Sequence, residues 1–449
     1  MSKQRIQLSD HFTYSRLLRF VLPCIGTMLF TSIYGIVDGL CVSNFVGKTA
    51  FAAVNLIMPL PMLLGTIGFM LGTGGSAIVG ITLGEGDQKK ADRYFTLFLL
   101  AALVSVSVLA VLGIVFLRPI AVLLGAKGEL LDYAVRYGRI LMVSLPTFAL
   151  QNMFQSFFVT AEKPHLGFWF TVGAGCTNMV LDVLMVGIWG WGVEGAAIAT
   201  FISQLVGGVL PVFYFIDRSN SSRLHLCKTS FYSKVLRDAC INGSSELMTN
   251  LSMSLVNILY NFQLLRLAGE NGVAAYGVIM YAAFLFVAVF VGYAVGSAPI
   301  VSFHYGARNH AEVHNLYRKS LRLIAVVAVT LTLASMFIIP CVARIFVGYD
   351  AELLALTSRA FRLYALSFLI MGFNVYASSF FTALGDGVTS ALISFLRTLA
   401  FQVIAILLLP LLLGIDGIWL AVTAAELAAL AVSAAMLLTK DKMFHYRKA

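Results

Sequence analysis

A chain of 449 residues, 59% of them hydrophobic and 12% charged, has too little polar surface to clothe a water-soluble fold of its size. The composition excludes a soluble protein and points to a polytopic membrane protein. The net charge of +10 is met by basic loops facing anionic lipid, so no nucleic-acid partner is called for.

A helix crosses the hydrocarbon core with about 20 apolar residues, and windows of that length recur along the chain. Twelve are expected, at 17–43, 51–80, 93–116, 136–160, 165–188, 192–216, 236–266, 272–303, 316–340, 359–384, 388–413 and 417–438. The runs are continuously apolar rather than alternating, which selects helices over a β-barrel. With the N-terminus inside, the inner segments hold 21 of the 31 Lys and Arg residues, so both termini are expected in the cytoplasm. The first run is too long for a cleaved signal and is expected to stay as the first span.

Taken along the chain, the motifs carry unequal weight. In "SIYGIVDGLCVSNF", positions 32–45, Asp38 stands alone among uncharged residues. Pro59 and Pro61 in "MPLPM" are expected to interrupt the second span. "GWGVEG", Gly190 to Gly195, matches the dinucleotide fingerprint by letters, but it lies between two spans with no preceding strand and reads as a tight turn. His310 and His314 have the i, i+4 spacing of metal ligands, yet no Glu follows His310 as the zinc-protease order requires. Cys24, Cys41, Cys176, Cys227, Cys240 and Cys341 show no paired spacing and read as small apolar residues. No GxxxxGK[ST] phosphate loop occurs, which argues against ATP hydrolysis.

An internal repeat organises the whole. "GTGGSAIVGITLGEGDQKKA" from Gly72 aligns without a gap to "AVGSAPIVSFHYGARNHAEV" from Ala294, a shift of 222 residues. Near that offset "AFAAVNLIMP" from Ala50 pairs with "GVAAYGVIMY" from Gly272, "LLGAKGELL" from Leu123 with "IFVGYDAELL" from Ile345, and "GVEGAAIA" from Gly192 with "GIDGIWLA" from Gly414. Six helices per half is an even number, so the halves are parallel, related by an axis along the membrane normal. The expected organisation is an all-α protein of two six-helix lobes, 1–216 and 236–449, joined by a cytoplasmic linker at 217–235. Such architecture is typical of secondary transporters.

A charge within the bilayer costs about 2.5 to 3.5 kcal/mol on insertion scales and is a functional candidate by default. Asp38 in the first span, Asp182 in the fifth and Thr200 in the sixth share one depth, and Asn178 precedes Asp182 by four residues on the same helical face. Their counterparts in the second half are Tyr260, Ala405, Val422 and Phe401, so the acidic site belongs to the first lobe alone. Two adjacent carboxylates in a poorly solvated pocket cannot both stay ionised and unpaired. Either a proton is held or a hard cation such as Na⁺ sits among the oxygens. Arg397 and Glu426, in spans 11 and 12, lie at compatible depths for a structural ion pair.

At these residues the chain resembles the multidrug and toxic compound extrusion (MATE) transporters, particularly the DinF-like branch. The carriers are "SIYGIVDGLCVSNFVGKTAFAAVNL", "GSAIVGITLGEGDQKKA", "GSAPIVSFHYGARN" and "TNMVLDVLMVGIWGWGVEGAAIAT", and the resemblance spans essentially the entire chain. It implies a monomeric antiporter of a bacterial cell membrane, not an enzyme and without a cofactor, exporting lipophilic organic cations against inward H⁺ or Na⁺ flow. It further implies that Asp38, Asn178, Asp182 and Thr200 form the cation-coupling site, binding the metal ion if Na⁺ is used, and that Pro23 marks a bend in the first helix. The alternative is a flippase for a lipid-linked saccharide on a related fold. A membrane-embedded enzyme is disfavoured because the one convergent polar cluster lacks His and Cys.

Overall fold

Apolar runs that cannot leave backbone unpaired in lipid must coil into helices, and the computed structural model is helical along every expected span. It describes residues 6–46, 48–348 and 350–447, without the side chains of 39–44, 48, 51 and 345, so the Cys41 side chain falls outside the description. Span 1 is Tyr14–Phe45, span 2 comprises Lys48–Ile57 and Pro59–Gly84, span 3 is Gln88–Leu123 and span 4 Glu129–Thr160. Span 5 runs Pro164–Asp182 and continues as a π-helix, Val183–Ile188; span 6 comprises Gly192–Gly208 and Leu210–Ile216. A short helix, Ser233–Asn242, leads into Ser244–Gly306, which Gly269 (φ 60°, ψ −148°) breaks into spans 7 and 8. Span 9 is His310–Val347, and span 10 comprises Ala351–Ala365 and Phe368–Ala383, bent by 46°. Span 11 runs Gly387–Phe395, a π-helical Leu396–Ala400 and Phe401–Leu413; span 12 is Ile415–Thr439.

Among the described residues nine helices are long and apolar enough to cross a membrane, or ten with the bent pair of span 10. Dividing Ser244–Gly306 at Gly269 and adding span 4, whose first half carries Asp132, Arg136 and Arg139, brings the number to the twelve expected. Span 2 breaks at Met58, immediately before Pro59. Span 1 runs without interruption through Pro23, whose carbonyl accepts a hydrogen bond from Thr27 Oγ1 at 2.9 Å.

The repeat is visible in the turns. Asp87 caps span 3 by accepting from the Lys90 N–H at 3.0 Å, and Asn309, 222 residues later, caps span 9 by accepting from the Glu312 N–H at 3.1 Å. The residues just before these caps, Gly86 and Arg308, both hold positive φ, 88° and 55°.

Spans 1 to 6 and 7 to 12 form two lobes that meet along spans 2 and 8. The meeting is reciprocal. A methyl group on Gly84 would run into the Phe303 carbonyl, and one on Gly306 would run into the Ile81 carbonyl; Gly84 and Gly306, like Ile81 and Phe303, are repeat twins. Glycine is what lets the backbones approach so closely. These contacts close the lobes on the face that carries the linker and the start of span 1, here called the linker face.

Residues 217–232 are not a loose tether. The His225 N–H donates to Asp92 Oδ1 at 3.0 Å, the Cys227 N–H to Thr96 Oγ1 at 3.1 Å and Thr229 Oγ1 to the Arg93 carbonyl at 2.8 Å, which fastens the segment along the start of span 3.

Candidate functional site

Span 1 packs against span 5, and span 5 against span 6. Asp38 lies seven residues before the end of span 1, while Asp182 is the last α-helical residue of span 5 before its π-helical turn. The extra residue in a π-turn shifts the helix face at that point, and such turns cluster at functional positions. The Asp182 side chain is fully buried and Asn178 nearly so. The carboxyls of Asp38 and Asp182 face each other within hydrogen-bonding reach. Asn178 Nδ2 donates to Thr200 Oγ1 at 3.5 Å, which joins span 5 to span 6. All four residues singled out in the sequence therefore stand together.

Four oxygens in this group are sealed from solvent and receive no hydrogen bond: Asp38 Oδ1, Asn178 Oδ1 and both carboxylate oxygens of Asp182. Buried acceptors of this kind are costly unless something positive lies between them. Among the described residues no three His, Cys, Asp or Glu side chains are grouped as a metal ion would need. Two carboxylates, an amide and a hydroxyl make an all-oxygen set, which suits a proton or a hard alkali cation and not a d-block ion.

Two tyrosines stand close enough to sense these charges and were missed in the sequence. Tyr34, one turn before Asp38 on the same helix face, lies near that carboxylate, and Tyr137 of span 4 lies near both. The i, i+4 spacing of Tyr34 and Asp38 was a usable signal; nothing in the sequence around Tyr137 points across to span 1. The Tyr137 hydroxyl approaches Met58 Sδ at 3.8 Å. Met58, Pro61, Met62, Phe148, Gln204 and Thr200 line a small apolar cavity, so Thr200 touches both the polar group and an adaptable apolar wall.

The twin positions of the second lobe are filled otherwise. Tyr260, opposite number of Asp38, is buried, donates to the Ile418 carbonyl at 3.2 Å and stacks on Tyr276 with ring centroids 4.9 Å apart. Ala405 and Val422 are buried apolar residues. The expectation that the second lobe lacks an acidic cluster holds at these positions only, because it has one elsewhere. Arg397, within the π-turn of span 11, sets Nη1 3.5 Å from Glu426 Oε1, and Asn374 Nδ2 donates to Glu426 Oε2 at 2.7 Å. Ser433 Oγ donates in turn to Asn374 Oδ1 at 2.9 Å, and the Arg397 charge reaches Glu246 in span 7.

The remaining motifs do not converge on any site. His310 packs edge-on against His445, and His314 Nδ1 lies 2.9 Å from the Tyr446 carbonyl. "GWGVEG" forms the turn between spans 5 and 6, with Gly190 and Gly192 at φ 67° and 60°.

The MatE family model matches residues 23–184 and, a second time, residues 247–408. The chain is similar to the multidrug export protein MepA of Staphylococcus saprophyticus, 20% identical over 434 residues that cover 96% of this chain and 95% of that protein. It is 22% identical to MepA of Staphylococcus aureus (strain MSSA476) over 433 residues, again 96% and 95% of the two chains. Among solved structures, an outward-facing conformation of a multidrug resistance MATE family transporter of the MOP superfamily superimposes with a TM-score of 0.92, covering 100% of both chains at 22% identity.

Proposed function

The chain belongs to the MatE family of membrane transporters, and on that premise we propose that it is an antiporter exporting lipophilic organic cations, driven by inward flow of H⁺ or Na⁺ through the first-lobe carboxylate group. Two curated relatives that it matches along nearly their whole length are described as multidrug export proteins. The observation that carries the coupling is the set of four unpartnered oxygens gathered by spans 1 and 5, beside Thr200 of span 6.

The mechanism is competition for negative charge. With a proton shared between Asp38 and Asp182, or Na⁺ held among the oxygens of Asp38, Asn178, Asp182 and Thr200, the group's charge is balanced and an organic cation gains little by approaching. Loss of the ion exposes that charge, and a lipophilic cation then binds more tightly. By linkage the two ligands weaken each other to the same degree, so the ion gradient drives the cation the other way. The lobes expose the site alternately by rocking about their shared axis. The basic linker face is assigned to the cytoplasm from its share of Lys and Arg.

The test is accumulation of an ethidium-like cation by inside-out vesicles, with proton and sodium gradients imposed separately. Gradient-driven accumulation should fall at least about tenfold, the loss of ~1.4 kcal/mol of differential binding, in Asp38→Asn and in Asp182→Asn. Persistence of full gradient-driven accumulation in both variants would contradict the assignment.

A further inference from the structure

The two lobes exchange their leading segments on the linker face. Residues 225–229, ahead of the second lobe, are fastened along span 3 of the first. Residues 8–12, ahead of the first lobe, are fastened in the same manner along span 9 of the second, the repeat twin of span 3. The Phe12 N–H donates to Glu312 Oε1 at 2.8 Å, while the Phe12 carbonyl accepts from Asn315 Nδ2 at 3.1 Å and Lys319 Nζ at 2.6 Å. His11 Nδ1 meets Glu312 Oε2 at 2.6 Å. Phe12 is fully buried, its ring edge-on to His304 of span 8 with centroids 6.4 Å apart.

The segment then turns back to the first lobe. Leu8, also fully buried, donates its N–H to Glu162 Oε1 at 2.9 Å, and the same carboxylate pairs with Arg223 of the linker at 2.5 Å. Arg223 in turn lies over the Phe303 ring of span 8, 4.8 Å from its centroid. Glu162 holds φ 62°, a left-handed conformation that its counterpart in the second half meets with glycine, Gly385 at φ 81°. A side chain kept where L residues are disfavoured fits a position held for its carboxylate. Leu8 and Phe12 thus fill the seam between the lobes with their backbone polar groups satisfied from both sides.

We infer that residues 6–13 form a releasable strap that holds the linker face closed and must detach from span 9 each time the lobes part there. The linker joins the lobes covalently and bridges them in every state. The strap is joined by peptide bonds to span 1 alone, so its hold on the second lobe is noncovalent and reversible. The strap rests on the alternating-access reading, but its opening can be read without transport.

The experiment uses the full chain in lipid nanodiscs, with the six native cysteines replaced and Ser302→Cys introduced as reporter. Ser302 is fully buried opposite Gly80 in the seam. Maleimide labelling of that reporter should be about tenfold faster in the double variant Phe12→Ala, Glu312→Ala, as the closed population falls. A second arm pairs His11→Cys with Glu312→Cys and joins them with a short bis-methanethiosulfonate. Transport by the joined protein should stop and return on reduction; this arm decides alone if the double variant fails to fold. Unchanged labelling in a folded double variant, or undiminished transport by the joined protein, overturns the strap. Faster labelling in a protein that never transports would instead count against the transporter reading.

Discussion

Asp182 is fully buried with neither oxygen receiving a hydrogen bond, whereas Glu426, equally deep in the other lobe, is held by Asn374 and faces Arg397. The contrast separates a group that awaits a ligand from one already balanced by the protein. Removing one member of a buried ion pair leaves the other charge uncompensated, at a cost of about 3–5 kcal/mol, while replacing both is close to neutral. Arg397→Met and Glu426→Gln should therefore each lower the thermal unfolding midpoint in detergent sharply, and the double variant should recover most of the loss; a double variant no more stable than the worse single one would show that the two do not act as a pair. The four oxygen-bearing residues of the first lobe were legible because charge inside a lipid-spanning run is conspicuous in any sequence. Tyr137 was not, since a tyrosine in span 4 is unremarkable until packing sets it beside Asp38 and Asp182.

The helices themselves were read almost end to end from apolar runs, and their breaks from Pro59, Gly269 and the outer glycines. The π-turns of spans 5 and 11 were invisible, because one extra residue in a turn leaves no mark on an apolar pattern. Both occur beside an ionisable residue, following Asp182 and enclosing Arg397. Deleting Val183 should return the turn to α geometry and rotate all that follows by about 100° relative to Asp182. The expected result is a folded, membrane-inserted protein without ion-coupled transport; wild-type coupling in that variant would show the π-turn to be incidental. The repeat also extends further than the four matched blocks. Asn152, Ser156 and Thr160 of span 4 recur at the 222-residue offset as Asn374, Ser378 and Thr382 of span 10, all of them buried.

At the scale of the molecule, two lobes built on one pattern carry charge in complementary places. The first keeps Asp38 where the second has Tyr260, and the second keeps Glu426 where the first has Gln204. One lobe is thus left with an unbalanced acidic group while the other is internally neutralised by Arg397. The shared frame comes from the reciprocal glycine contacts of spans 2 and 8, and the crossed leading segments add a second tie on the same face. These contacts join residues as much as 300 positions apart, which is why the repeat could be read from the chain but not the seam it creates. Competition between the ion and the organic cation for the first-lobe oxygens is the central claim, and ion release on substrate binding tests it most directly. Purified protein in weakly buffered detergent, titrated with tetraphenylphosphonium, should release H⁺, or Na⁺ in sodium medium, with a stoichiometry that vanishes in Asp38→Asn and Asp182→Asn. Substrate binding without ion release in the unaltered protein, or equal release in the two variants, would contradict it.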